Sequence, residues 1–264
     1  GNTGSTPTVV PNGGGLYLQN GTVTMSGTAE IRECGAQNGG AIYLEDGMVN
    51  LYGGKIYNNI VNQGNGGAIY IIGGNFNMSK DGASGGNALI QNNSSFATNN
   101  TGGSGGGIYM TYHNTNISAN IISGQIQGNS ADRLGGGICV DMDEAPADLS
   151  AQVTVGEGTT HADNPFISQN KALLEGGGMY VIGNKANIEI NNGFIKENIT
   201  TGYVYNQDIA NEGGLVTLKD TNVTKSVVIT FDANGGIFDP STNATTAIQN
   251  IVVSTNSLLV GPTY

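Results

Sequence analysis

The sequence predicts an all-β fold, a single-stranded right-handed parallel β-helix of about seven coils, with a short β-rich C-terminal segment. Three observations predict it. A glycine-led phrase recurs along the chain, the runs after it alternate apolar and polar residues, and 44 of the 264 residues are Gly while only 6 are Pro. Gly at that density penalises helix by about 1 kcal/mol per residue. So little Pro excludes collagen and proline-rich linkers.

The phrase first reads Gly13-Gly14-Gly15-Leu16-Tyr17-Leu18, then Gly39-Gly40-Ala41-Ile42-Tyr43-Leu44 and Gly66-Gly67-Ala68-Ile69-Tyr70-Ile71. It returns from Gly105 to Met110, from Gly135 to Val140 and from Gly176 to Val181, and a worn copy is read at Gly213-Gly214-Leu215-Val216-Thr217-Leu218. The first glycines are spaced by 26, 27, 39, 30, 41 and 37 residues. The shortest spacing is the basic unit, and the excess belongs to loop insertions.

Three extended runs are expected in each unit. The first is the glycine phrase, where Gly-Gly suits a corner that needs φ > 0. The second alternates with period two, as in Thr22-Val23-Thr24-Met25-Ser26 and Met48-Val49-Asn50-Leu51-Tyr52. The third places an apolar residue three before Asn: Ile56 to Asn59, Phe96 to Asn99, Ile126 to Asn129, Ile167 to Asn170 and Ile195 to Asn198. Asn at that corner tolerates the left-handed conformation, and stacked Asn side chains would hydrogen-bond from coil to coil. Inward aliphatics from successive coils, about 4.8 Å apart, then stack into a core that no single coil buries alone. The division expected is a lead-in or cap over 1–12, the β-helix over 13–225, and a C-terminal unit over 226–264.

Strand parity puts Ile42 and Leu44 inside and Ala41 and Tyr43 outside, and the same holds in the other copies. Tyr17, Tyr43, Tyr70, Tyr109 and Tyr180 therefore form one outward file, interrupted by Cys139. Stacked outward Tyr would grip flat sugar faces or a protein ligand, since each ring joins apolar area to a polar tip. A self-stabilising ladder roofed by insertion loops is the plainer use of the same residues. Cys34 falls at the Asn place of the first coil and Cys139 at the Tyr place of the fifth. Four coils would separate them by about 19 Å along the axis, too far for a disulfide.

The net charge is −11, and the nine Lys and Arg are scattered singly. Nucleic acid needs clustered cations, so it is not an expected partner. No run approaches the length of a membrane-spanning segment. The first residues carry no basic and apolar leader, so a mature or excised segment is expected. Asp141, Asp143 and Asp148 would offer oxygen ligands to Ca²⁺, but their spacing fits no established loop, and a solvated insertion is the expectation. His113 and His161 are read as loop residues without a repeated acidic motif beside them. No catalytic, metal or cofactor residue is assigned.

The Gly-Gly-Ala-Ile phrases at Gly39 to Ile42 and Gly66 to Ile69, with Phe-x-x-Asn at Phe96 to Asn99, resemble the chlamydial polymorphic membrane protein repeat over roughly residues 13–218. Most copies here carry Ile in place of Phe. The resemblance implies a bacterial surface β-helix. Val228-Ile229-Thr230-Phe231-Asp232-Ala233-Asn234-Gly235-Gly236 resembles the start of a Listeria–Bacteroides repeat, a small β-rich surface module, which ends early at Gly261-Pro262-Thr263-Tyr264. The expectation is therefore a non-catalytic, extracellular or cell-surface adhesin-like module, part of a longer modular chain, facing a host surface protein or glycan. A polysaccharide-acting lyase or glycoside hydrolase and a passive stalk are the alternatives.

Overall fold

The computed structural model describes residues 11–82, 85–157, 164–202 and 208–218 in full, and the backbone of strands Val227–Asp232, Thr246–Ile251 and Ser257–Leu258. His161, most of the N-terminal lead-in, the 225/226 boundary and the last six residues lie outside the described residues. The described chain is all-β, and among the described residues no helix is long and apolar enough to cross a membrane.

Three sheets of parallel strands carry the repeat. The first joins Leu16–Leu18, Ile42–Leu44, Ile69–Ile71, Ile108–Thr111, Ile138–Asp141, Met179–Ile182 and Ile209–Glu212 in chain order. A long sheet has two wings. Thr22–Arg32 and Met48–Tyr57 each run through both, the latter bending at Gly53 and Gly54, whereas later repeats use separate strands such as Gly74–Ser79 and Leu89–Gln91. A short sheet joins two- to five-residue strands from Gly35–Ala36 to Ile199–Thr200. Each repeat thus pairs with the one before and the one after, an arrangement compatible with a β-helix-like fold.

The interior follows the expected parity. Ile42, Leu44, Ile69, Ile71, Ile108, Met110, Ile138, Val140, Met179 and Val181 are fully buried and join Val49, Leu51, Phe76 and Ile56 in one continuous core. The first Gly of every six-residue copy has a positive φ, from +61° at Gly39 to +72° at Gly66.

Four departures from the sequence reading have physical causes. The unit has four extended segments, because the chain continues past the Asn corner into the short sheet, as at Ile60–Asn62. The copy read at Gly213 is not a copy of the first strand. Ile209-Ala210-Asn211-Glu212 holds that place, in register with Met179 to Ile182, while Leu215–Leu218 pairs with Asn187 to Ile190 in the long sheet. Gly213 (φ +89°) instead makes the turn between those sheets, as Gly47 (+87°) and Gly183 (+88°) do.

The Phe96-x-x-Asn99 match is out of register as well. Ile90 pairs with Ile56 and Ile126, so the corner belongs to Ile90-Gln91-Asn92-Asn93. Phe96 lies in the hairpin of Ser94–Thr98 with Thr101–Gly102 and is 40% exposed. Finally, the left-handed residue at the corner is the one before the stacked Asn, at Asn58, Asn92, Gly128, Gln169 and Glu197, and before Cys34 it is Glu33.

That local reversal aims the next side chain inward, where it builds the ladder that binds repeat to repeat. Asn59 Nδ2 donates to Asn93 Oδ1 (2.9 Å), Asn93 to Asn129 (2.9 Å), Asn129 to Asn170 (3.0 Å) and Asn170 to Asn198 (3.0 Å). Each Oδ1 also accepts the backbone N–H of the preceding rung, and each Nδ2 reaches an Ile carbonyl of the preceding repeat, as from Asn129 to Ile90 O (3.0 Å). These Asn are at most 2% exposed, and an amide that both donates and accepts satisfies every polar atom at such a site. The ends need only one half of that chemistry. Cys34 opens the ladder with its backbone N–H on Asn59 Oδ1 (3.0 Å), as its place in the repeat predicts. Asp208 closes it, accepting from Asn198 Nδ2 (2.9 Å), and burial holds its carboxyl above the usual range despite those donors.

At the far end, Ser257–Leu258 pairs antiparallel with the edge of Leu215–Leu218. Val227–Asp232 and Thr246–Ile251 form a separate antiparallel pair.

Candidate ligand-facing site

The tyrosine file exists as a register feature. Tyr17, Tyr43, Tyr70, Tyr109, Cys139, Tyr180 and Ala210 are successive partners in the first sheet. Rings stack at 5.3 Å between Tyr17 and Tyr43, 5.1 Å between Tyr43 and Tyr70, and 5.1 Å between Tyr70 and Tyr109. The parallel strands impose this, since the same outward position recurs one strand spacing away.

Its two ends differ. Tyr17 is 47% exposed and Tyr43 is half-buried, whereas Tyr109 and Tyr180 are 7% and 3% exposed. Tyr109, Cys139, Tyr180 and Ala210 form a small apolar cluster of their own, covered by Leu134 and Ile182. The file is therefore an open aromatic surface at its N-terminal end and a second, outer core at the other.

Acidic residues hold the hydroxyls, a pattern the sequence reading missed. Tyr17 donates to Glu45, Tyr109 to Asp141 Oδ2 (2.6 Å) and Tyr180 to Glu212. Each acid lies two residues past the file position of the next repeat, where side chains point the same way. The signal was an acid recurring at that offset. Asp141 is thereby engaged with the file, while Asp143, Glu144 and Asp148 are exposed. Among the described residues no group of three His, Cys, Asp or Glu is placed to hold a metal ion. His113 is exposed in the loop before Ile117. Cys34 and Cys139 are both free thiols, the second fully enclosed, and burial pushes both above the usual thiol range.

Burial also raises the phenol pKa of Tyr70, Tyr109 and Tyr180, with nearby Asp141, Cys139 or Glu212 adding to it. A raised folded pKa means these groups keep protons that the unfolded chain releases above about 10, so stability falls as pH rises past that value. We expect alkaline titration to ionise the exposed tyrosines first. Phenolate absorbance from Tyr70, Tyr109 and Tyr180 should appear only as the β circular-dichroism signal collapses. All tyrosines ionising in one wave near 10 with that signal intact would contradict the covered file.

Comparison of the chain with protein-family models, with curated proteins and with solved structures finds no match.

Proposed function

We propose that the chain is a single-stranded right-handed parallel β-helix of about seven coils, serving as a non-catalytic, adhesin-like module outside a bacterium or on its surface. The in-order parallel pairing of every repeat supports the architecture. The surface location rests on the Gly-Gly-Ala-Ile resemblance and the low, acidic charge content. The observation that carries the function is the open end of the tyrosine file, where the rings of Tyr17 and Tyr43 stack at 9° on two paired parallel strands. Pre-stacked rings lose little entropy on contact, which suits them to a host protein or glycan.

The passive stalk remains a second reading, favoured by the burial of Tyr109 and Tyr180. Binding of the purified chain to mucin-coated and epithelial surfaces separates the two. Replacing Tyr17 and Tyr43 together by Ala should weaken adherence about tenfold, the value of two aromatic contacts, with the melting curve kept cooperative. Unchanged adherence, or none by the parent chain, favours the stalk. New sugar ends released from pectin or mucin glycans would make the protein an enzyme.

A further inference from the structure

The outer face of the long sheet carries a second amide ladder, unlike the first in being open to solvent on one side. Asn50 Nδ2 donates to Thr24 Oγ1 (3.3 Å), Asn77 to Asn50 Oδ1 (2.9 Å) and Asn120 to Asn77 Oδ1 (2.9 Å), and Tyr52 OH donates to Asn50 Oδ1 (3.3 Å). The ladder stops at Asn120, because its partner in the next repeat is Thr154, which has no amide.

Asp81 and Glu157, where two repeats are interrupted, line a cleft on this face. The loop after Ser79 folds back on the sheet, its Asp81 Oδ2 accepting from Gly27 N–H (2.8 Å). The cleft is open, about 490 Å³ in volume, and Tyr52, Asn77 and Asn120 also line it. A smaller hollow of about 150 Å³ shares Ser79, Lys80, Ile122 and Glu157 with it and continues to Ser123. Ser123 is 4% exposed, and its Oγ has no hydrogen-bond partner within the protein. A buried hydroxyl without a partner costs about 1–3 kcal/mol, and here it lies in the lining of the smaller hollow.

The lining specifies the ligand chemistry. Amide and hydroxyl side chains both donate and accept, as sugar hydroxyls do. The Tyr52 ring adds a flat apolar surface. Lys80 stands with Asp81 and Glu157, a mixed set that offers no positive field, and the chain's charge of −11 repels polyanions. The volume lies within the range of small-molecule sites.

We propose that this cleft binds a segment of a neutral glycan, through Asn77, Asn120 and Ser123, with Tyr52 against a sugar face. The inference rests on the extracellular module proposed above, and it adds a site in which the tyrosine file takes no part.

Affinity electrophoresis tests it, with the chain run through gels holding galactomannan, mixed-linkage β-glucan or neutral mucin oligosaccharides, and polygalacturonate as the anionic control. The chain should be retarded by a neutral glycan and not by polygalacturonate. Ser123→Ala should weaken retardation about tenfold, one buried hydrogen bond, while leaving the melting temperature unchanged or higher, because it deletes an unpartnered hydroxyl. Ser79→Tyr, which fills the cleft from its wall, should abolish retardation in a folded protein. No retardation by any neutral glycan, retardation by polygalacturonate alone, or retardation that survives both cleft variants would overturn the proposal. Adherence to epithelial surfaces, measured in parallel, keeps the outcomes apart. A chain that adheres yet ignores these glycans loses the cleft and keeps the module, and one that does neither loses both.

Discussion

Replacing Asn129 with Ala is expected to lower the melting temperature by roughly 10 °C, the shift that about 3–5 kcal/mol produces in a domain of this size. Asn129 sits mid-ladder and is fully buried. Its Oδ1 accepts the backbone N–H of Asn93 (3.0 Å) and its Nδ2 donates to Ile90 O (3.0 Å) as well as to Asn170. Truncation leaves the first two groups inside a dry core without that partner and opens a cavity between repeats. Because repeats contact only their neighbours, the damage falls on the interfaces to either side and divides the stack in its middle.

Asn77→Ala provides the internal comparison. It removes the same amide from the outer ladder, where Asn77 is half-buried and water replaces the lost bonds, so its cost should stay near 1 kcal/mol. Thermal melts of the two variants side by side decide the matter. Equal shifts would mean that the inner ladder holds the repeats no more tightly than surface polar contacts do.

Much of this was legible in the chain. The period-two parity of Ile42-Tyr43-Leu44 and its copies named both the core and the tyrosine file, because a strand leaves only two faces. The same logic assigned Cys34 to a rung and Cys139 to the file, and both assignments hold. What escaped reading depends on neighbours that spacing does not reveal. Insertions of variable length let Phe96-x-x-Asn99 imitate a corner that register gives to Ile90 and Asn93. The glycines at 213 and 214 look like a corner pair, yet their turn leads into the long sheet. Leu134 and Ile182, which pack against the cluster of Tyr109 and Tyr180 beside Tyr70, lie outside the repeated phrase. Lys80, Asp81 and Glu157 line the cleft where the repeat is interrupted, and a repeat-based reading sets such positions aside.

The second Gly of the phrase supplies the other large effect, one that backbone preference alone does not foresee. Gly136 does not adopt a left-handed conformation, so a conformational argument makes Ala harmless or mildly favourable there. Packing says the reverse. A Cβ at Gly136 would lie 2.4 Å from Gly177 O of the next repeat and 2.5 Å from both the carbonyl carbon and oxygen of Lys171, which closes the coil beneath it, all backbone atoms. Gly40, Gly67 and Gly106 meet the following repeat at 2.2 to 2.5 Å in the same way. No rotamer change relieves a clash with backbone, so the repeats must separate locally, and their sheet pairing weakens with them. We expect Gly136→Ala to cost about 3 kcal/mol or more, seen as a melt lowered by roughly 8 °C or as loss of the soluble folded fraction. Gly213→Ala is the counterpart, with φ at +89° and no atom within 4 Å of an added Cβ. It carries only left-handed strain of about 1–2 kcal/mol. If Gly213→Ala proves the more damaging of the two, backbone conformation and not the close approach of successive repeats is what the glycine phrase preserves.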